Sequence, residues 1–319
     1  MKNQKKQGYF IFLFPALTVI VLVIITIWII IPVIRERNQC ISLGEQWIDL
    51  LKEHTNFSAH DTGYPVDVQY YYADSTDENL KRLRELYDLE TIAGQGSEID
   101  QIINLMVWVY RLAEHANEPA IPKERNAFAV IHMAKEEHKQ INCYMKTVIL
   151  NEVYLAMGFY SRHTHLLPHS NEENESHFIT SVFPRTLGKW ILMDPDFGVY
   201  VADETGNILG VREIRRRLIT GEPLRVERPG KSMLAIAYTN AYDFIEGADY
   251  PWFLSCFIFK MRCPKYSTYD QDSKPIREYF ELIPDGYREQ LLQESRITGK
   301  GKKIYYINDE NIFWQKPAL

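Results

Sequence analysis

The sequence predicts an α+β fold in which a helix carrying Cys143 packs on an antiparallel sheet carrying His177 and Asp194, preceded by one transmembrane helix. Three observations predict it. A capped helical pattern opens on Cys143, two apolar strand patterns open on His177 and close on Asp194, and no charged residue occurs from Gln7 to Ile34.

Asn142 reads as a helix N-cap, because its side chain accepts from the free amides of a first turn, and Gly158 supplies a left-handed stop. The helix is therefore expected from Cys143 to Met157, with Met145, Val148, Ile149, Leu155 and Ala156 on its buried side. Cys143 falls in the first turn, where unpaired N–H groups and the positive end of the helix dipole favour an anionic sulfur. The same amides are candidate oxyanion donors.

Residues 177–183 alternate, with Phe178, Thr180 and Val182 opposite His177, Ile179, Ser181 and Phe183, and a second apolar run follows from Lys189 to Met193. A four-residue loop at Pro184 to Leu187 would set Phe183 opposite Gly188 and His177 opposite Asp194. Cross-strand neighbours have Cβ atoms about 4.5 to 5.5 Å apart, close enough for a carboxylate to fix an imidazole tautomer. A slip of one residue would send the two side chains to opposite faces.

A nucleophile, a base and a carboxylate that orients the base are the minimum set for thiol acyl transfer. Cys143 at a helix start, then Leu-Ala-Met-Gly-Phe-Tyr-Ser-Arg, a His opening a strand and Lys-Trp-Ile-Leu-Met-Asp-Pro closing the next resemble the transglutaminase-like superfamily of papain-type thiol enzymes, here as a membrane-anchored, bacterial-type member. The resemblance covers roughly Ser97 to Gly206. It implies that Cys143 is the nucleophile, His177 the base and Asp194 the orienting acid, with no cofactor and no metal. Arg162 matches an arginine common in the family, without a catalytic role. The chain departs from the family at Ile141, often glycine, and at Phe178-Ile179, where Ala-Trp is usual.

The N-terminal run includes Phe10-Ile11-Phe12-Leu13-Phe14 and Val19 to Ile25, and it exceeds the ~20 residues needed to cross a bilayer. A cleaved signal has an apolar region of only about 7 to 15 residues and a small-x-small exit, whereas this run ends in Ile-Pro-Val-Ile-Arg-Glu-Arg. A retained single-pass anchor is expected, and Lys2, Lys5 and Lys6 before the span, set against Arg35 and Arg37 after it, tip the positive-inside balance slightly toward a cytoplasmic N-terminus with the body outside. The expected divisions are 1–37 stub and anchor, 38–96 juxtamembrane segment, 97–230 catalytic core and 231–319 a helical and β-rich extension.

A formal net charge of −6 argues against nucleic acid as a partner. Arg212 to Arg217 is a local basic stretch, read as a solvated helix face. Four cysteines do not form a disulfide scaffold in 319 residues, and Cys256 and Cys263 are expected as buried thiols. Further helices are expected at 41–53, Glu98–His115 behind Ser97, Phe128–Glu137, Val211–Leu218 and Ser232–Ile245, with tyrosine-rich irregular or strand chain over Gly63–Tyr72. Tyr279–Ile283 and Lys303–Ile307 have β character, either as an appended subdomain or as extra strands on the catalytic sheet.

His163, His165 and His169 raise the alternative of a zinc site, but they read as a Pro-containing polar loop without a rigid element to hold ligands. The expectation is a membrane-tethered thiol enzyme that forms a thioester at Cys143 from a peptide or carboxamide, resolved by water or by an amine. The alternative is an inactive binding or assembly module of the same fold at the cell envelope. Partners are then a peptide or protein substrate and the membrane.

Overall fold

The computed structural model describes residues 44–57, 67–170, 176–229, 250–287, 295–297 and 301–318, with Ile27 and Ile31 as single positions. The anchor expected within 7–34 and the helix expected at Ser232–Ile245 lie outside the described residues. Among the described residues no helix is long and apolar enough to cross a membrane.

The strands are β1 (Tyr71–Tyr72), β2 (Tyr160–Leu167), β3 (His177–Phe183), β4 (Ile191–Asp194), β5 (Val199–Ala202), β6 (Arg225–Glu227), β7 (Lys260–Pro264), β8 (Tyr266–Ser267), β9 (Arg277–Leu282), β10 (Ser295–Ile297) and β11 (Lys302–Ile307). Nine of them form one sheet in the order β10-β11-β9-β7-β2-β3-β4-β5-β6, while β1 and β8 pair separately. Every neighbour in the large sheet is antiparallel except β9 and β11. The β-rich C-terminal segment thus adds strands directly to the sheet that carries His177 and Asp194, the second of the two placements the sequence left open.

Helices are α1 (44–53), α2 (Glu78–Leu86), α3 (Leu89–Ala93), α4 (Glu98–Tyr110), α5 (Ala127–Lys135), α6 (Cys143–Ala156), α7 (Val211–Thr220), α8 (Tyr250–Phe257) and α9 (Glu310–Phe313). Alternation along the strands separates two cores. Val182, Ile191 and Met193 pack with α2 to α6 on one face, whereas Ile179, Leu192, Val199 and Val201 pack with α1, α7 and α8 on the other. Helix α6 is the centre of its layer, buried all round from Met145 to Ala156 rather than on one side.

Four further sequence expectations are corrected. The β3–β4 register is displaced by two residues, with Thr180 opposite Met193 and Val182 opposite Ile191. Chain 184–188 closes its own turn, with the Gly188 N–H donating to the Pro184 carbonyl at 2.9 Å and Gly188 at φ 62°, so the connection is longer than four residues. A displacement by two keeps every side chain on its face, and His177 and Asp194 become diagonal neighbours. Second, His163 and His165 lie in the buried strand β2, not in a polar loop. Third, the basic stretch on α7 is half buried: Arg215 is 4 % exposed, stacks over Phe57 at 4.6 Å and donates to the His54 carbonyl at 2.6 Å. Helix α4 also ends at Tyr110, short of His115, because residues 114–116 bond instead to the backbone of Ile141.

Candidate active site

Asn142 caps α6 as its residue type dictates, its side-chain oxygen accepting from the Met145 N–H at 3.1 Å. This fixes Cys143, half-buried, as the first helical residue. On the sheet, His177 opens β3 and Asp194 closes β4, and the His177 Nε2 lies 2.7 Å from the Asp194 Oδ2. With Nε2 engaged by the carboxylate, Nδ1 is the nitrogen left for Cys143. The imidazole is 2 % exposed and walled by Phe197 and Phe253, whose ring centroids lie 5.6 and 5.1 Å away. Burial opposes its protonation. The Asp194 charge and hydrogen bond, assisted by Cys143, outweigh burial and hold His177 well above its usual range.

Asp194 is fully buried and fully engaged. Oδ2 also accepts from the Tyr250 hydroxyl at 2.6 Å, and Oδ1 accepts from the backbone N–H groups of Asp196 and Phe197 at 2.9 and 3.2 Å. These two amides belong to the β4–β5 hairpin loop, so the Asp-Pro-Asp turn clamps the carboxylate that its own strand presents. Four donors pointing at one carboxylate leave it little rotational freedom, and its orientation transmits to the imidazole.

Asp196 stands in that loop rather than in an extended strand, and it belongs to the site. A Cys143 sulfur, a His177 nitrogen and an Asp196 oxygen lie within 4.8 Å of one another. Such a cluster has the spacing of a metal cage. However, the Asp196 carboxylate is already bound by the Lys146 Nζ at 3.2 Å and the His115 Nδ1 at 2.8 Å, which leaves it ill suited to a cation. Those partners keep Asp196 below the usual carboxylate range against the opposing effect of burial.

A cleft of about 960 Å³ opens at Cys143. The chain after α4, the first turn of α6 and the face of β2, β3, β7, β9 and β11 line it. His163 and His165 stand on this wall, with His165 stacked on Phe178 at 3.9 Å. His163, His165 and His169 do not assemble into a three-ligand group among the described residues.

The structure therefore brings together all three residues singled out by sequence, in a triad-like arrangement of a helix-borne thiol and a sheet-borne His–Asp pair compatible with a papain-like fold. It adds His115, Lys146, Asp196 and Tyr250. Lys146, one turn beyond Cys143 on the same helix, is signalled by its i,i+3 spacing. His115 and Tyr250 carry no such local signal, since tertiary packing brings them in. Arg162 is structural: fully buried, it sits over the rings of Tyr70 and Trp190 at 4.3 and 4.4 Å and donates to the Phe313 carbonyl at 2.8 Å. No family model matches the chain, and no curated protein or solved structure matches it.

Proposed function

We propose that this protein is a transglutaminase-like thiol enzyme that cleaves or transfers the acyl group of a peptide or carboxamide, its body tethered to a membrane by the uncharged run ending at Ile34. The buried His177, hydrogen-bonded to a four-fold-held Asp194 and adjacent to Cys143, carries this reading. The Cys143 sulfur attacks the carbonyl carbon, forming a C–S bond and an oxyanion for which the first-turn amides of α6 are candidate donors. Collapse expels the amine, which takes its proton from the His177 imidazolium. Water or a second amine then gives its proton to His177 and attacks the thioester, breaking the C–S bond. Water yields hydrolysis, and an amine yields a new amide.

Iodoacetamide labelling tests the reading directly. Folded protein should lose one thiol, Cys143, much faster than the denatured chain does, with a pH dependence that the denatured control lacks. Rates equal to the control would instead describe a non-catalytic module of this fold. Cys143→Ala should abolish turnover of any amide the wild type processes while leaving thermal unfolding nearly unchanged, because the substitution removes only one half-buried sulfur. For the anchor, the full-length chain should stay with membranes through carbonate and high-salt washes, and a chain beginning at Asn38 should not. Recovery of the full-length chain in the soluble fraction would overturn the tether.

A further inference from the structure

The Asp194 Oδ2 atom that holds the His177 Nε2 at 2.7 Å also accepts from the Tyr250 hydroxyl at 2.6 Å. A donor that stabilises a carboxylate makes it a weaker base toward every other partner. The two remaining donors, the Asp196 and Phe197 amides, reach the other oxygen and belong to the backbone. Tyr250 is therefore the side chain placed to adjust the His177–Asp194 pair. It is fully buried and meets Phe197 edge-on at 5.5 Å. Burial first, and then the Asp194 charge, push its phenol well above the ordinary range, so it remains a donor wherever the thiol works. Helix α8 is arranged around this contact. Tyr250, Phe253 and Phe257, at i, i+3 and i+7, share one face, with the Phe253 and Phe257 rings 5.1 and 6.5 Å from the imidazole. From the opposite face Trp252 and Ser255 meet α1: the Ser255 hydroxyl lies 3.3 Å from the Gly44 carbonyl, and a Cβ on Gly44 would stand 2.7 Å from the Trp252 ring. A packed helix pair thus backs the phenol. The need for it follows from Asp194, which holds His177 well above its usual range. A general acid works best with a pKa near the operating pH, and an imidazolium held too firmly keeps the proton that a leaving amine requires.

We propose that Tyr250 is a positioning residue of the His177–Asp194 pair, whose hydroxyl draws charge from the Asp194 Oδ2 and so lets the His177 Nδ1 proton pass to the leaving amine. This rests on the thiol-enzyme reading, which supplies that amine. The Nδ1–H bond breaks, the amine nitrogen gains the proton, and the Nε2 proton stays on the ring facing Asp194. Loss of the hydroxyl leaves the carboxylate in place, because His177 and the two backbone amides still hold both oxygens, so the change falls on charge rather than on orientation. Other ionisable groups within electrostatic range of the imidazole or of the phenol are Cys143 on α6, His165 on β2, Asp196 in the β4–β5 loop and Arg228 after β6. None of them is altered in Tyr250→Phe, so a displaced pH profile reports the hydroxyl itself.

The test is the pH dependence of Cys143 alkylation in full-length protein in detergent. Iodoacetamide reports the thiolate. Iodoacetate, an anion, reacts fastest while His177 is an imidazolium, so its rate falls on the alkaline side as that proton is lost. In Tyr250→Phe, Asp194 keeps more of its charge for His177, and the alkaline limb should move upward by roughly half a unit to one unit, with a cooperative urea transition retained. A 3-fluorotyrosine placed at position 250, a more acidic phenol of nearly the same shape, should move the limb downward, and it carries the test alone where Tyr250→Phe does not fold. A limb that stays in place in the fluorinated protein overturns the role of the hydroxyl, as does a downward displacement in Tyr250→Phe. Wild-type iodoacetamide labelling no faster than that of the denatured chain would count against the enzyme, whereas fast labelling with a limb indifferent to position 250 would count against Tyr250 alone.

Discussion

Asp194 and Asp196 are separated by one proline and do different work. Asp194 spends both oxygens on fixed donors and through Nε2 sets the His177 tautomer; Asp196 neutralises Lys146 and holds His115 by a hydrogen bond beside the sulfur. Asp194→Asn keeps the shape but removes the charge that lifts His177, so burial then dominates and the imidazolium is lost at lower pH. Alkylation of Cys143 near neutral pH should therefore slow by roughly ten-fold or more, with its pH profile displaced upward, while the fold is retained. Asp196→Asn strands the Lys146 ammonium, 2 % exposed, and should destabilise the protein by about 3 kcal/mol, read by urea unfolding. A larger alkylation shift in Asp196→Asn than in Asp194→Asn would exchange their roles. The triad was legible because each member sits at an element boundary with a local signature: cap, strand start, Asp-Pro exit. His115 and Tyr250 reach the site across 81 and 56 residues of chain to Asp196 and Asp194, so no local pattern marks them.

At the scale of elements, the caps and stops of α6 read correctly, but its polar residues did not. Lys146, Asn151 and Glu152 are polar and spread round the helix, yet all three are buried because α6 is surrounded by α2, α4, α5 and the sheet. Each is satisfied by a distant group, which sequence periodicity does not encode. Asn151 Oδ1 accepts from the hydroxyls of Ser161 and Ser267, and Glu152 accepts from the backbone N–H groups of Ala127 and Asp270 at 2.8 Å each. Glu152 thus pins the start of α5 and the turn before β9 to the cysteine helix. Burial pushes it up to about 8 from an ordinary 4.5, against the pull of those two donors. The folded chain therefore holds a proton that the unfolded chain has lost between pH 4.5 and about 8, and unfolding free energy should fall as pH rises across that window. Glu152→Gln, neutral throughout, should flatten this slope, at a constant penalty of about 1 to 3 kcal/mol for turning an amide toward one N–H donor. Parallel stability–pH profiles for the two proteins would show that Glu152 stays ionised. The β3–β4 register is the other element-scale lesson: parity survives because it follows from which face is apolar, whereas the exact pairing depends on how chain 184–188 closes its turn.

For the whole molecule, strand character in Tyr279–Ile283 and Lys303–Ile307 was readable, but strand order was not, because neighbours in a sheet need not be neighbours in sequence. The C-terminal segment places β7 against β2 at the middle of the sheet, runs β11 parallel to β9, and sends Tyr250 to the Asp194 carboxylate. The strands next to the triad-like cluster and this segment therefore share one core, in which Leu166 and Ile179 pack in a single cluster with Met261, Phe280, Leu282 and Ile307. Burying a large apolar side chain contributes about 1.5 to 3 kcal/mol, so losing those four alone removes about 6 to 12 kcal/mol. A domain's whole net stability is typically only about 5 to 15 kcal/mol. A chain ended at residue 249 should consequently fail to fold rather than persist as a minimal catalytic domain. It should lack a cooperative urea transition, aggregate through the uncovered edge of β2, and label at Cys143 at the rate of the denatured control. A soluble, cooperatively unfolding fragment with rapid Cys143 labelling would show instead that the catalytic core stands alone and that β7, β9 and β11 are an accessory to it.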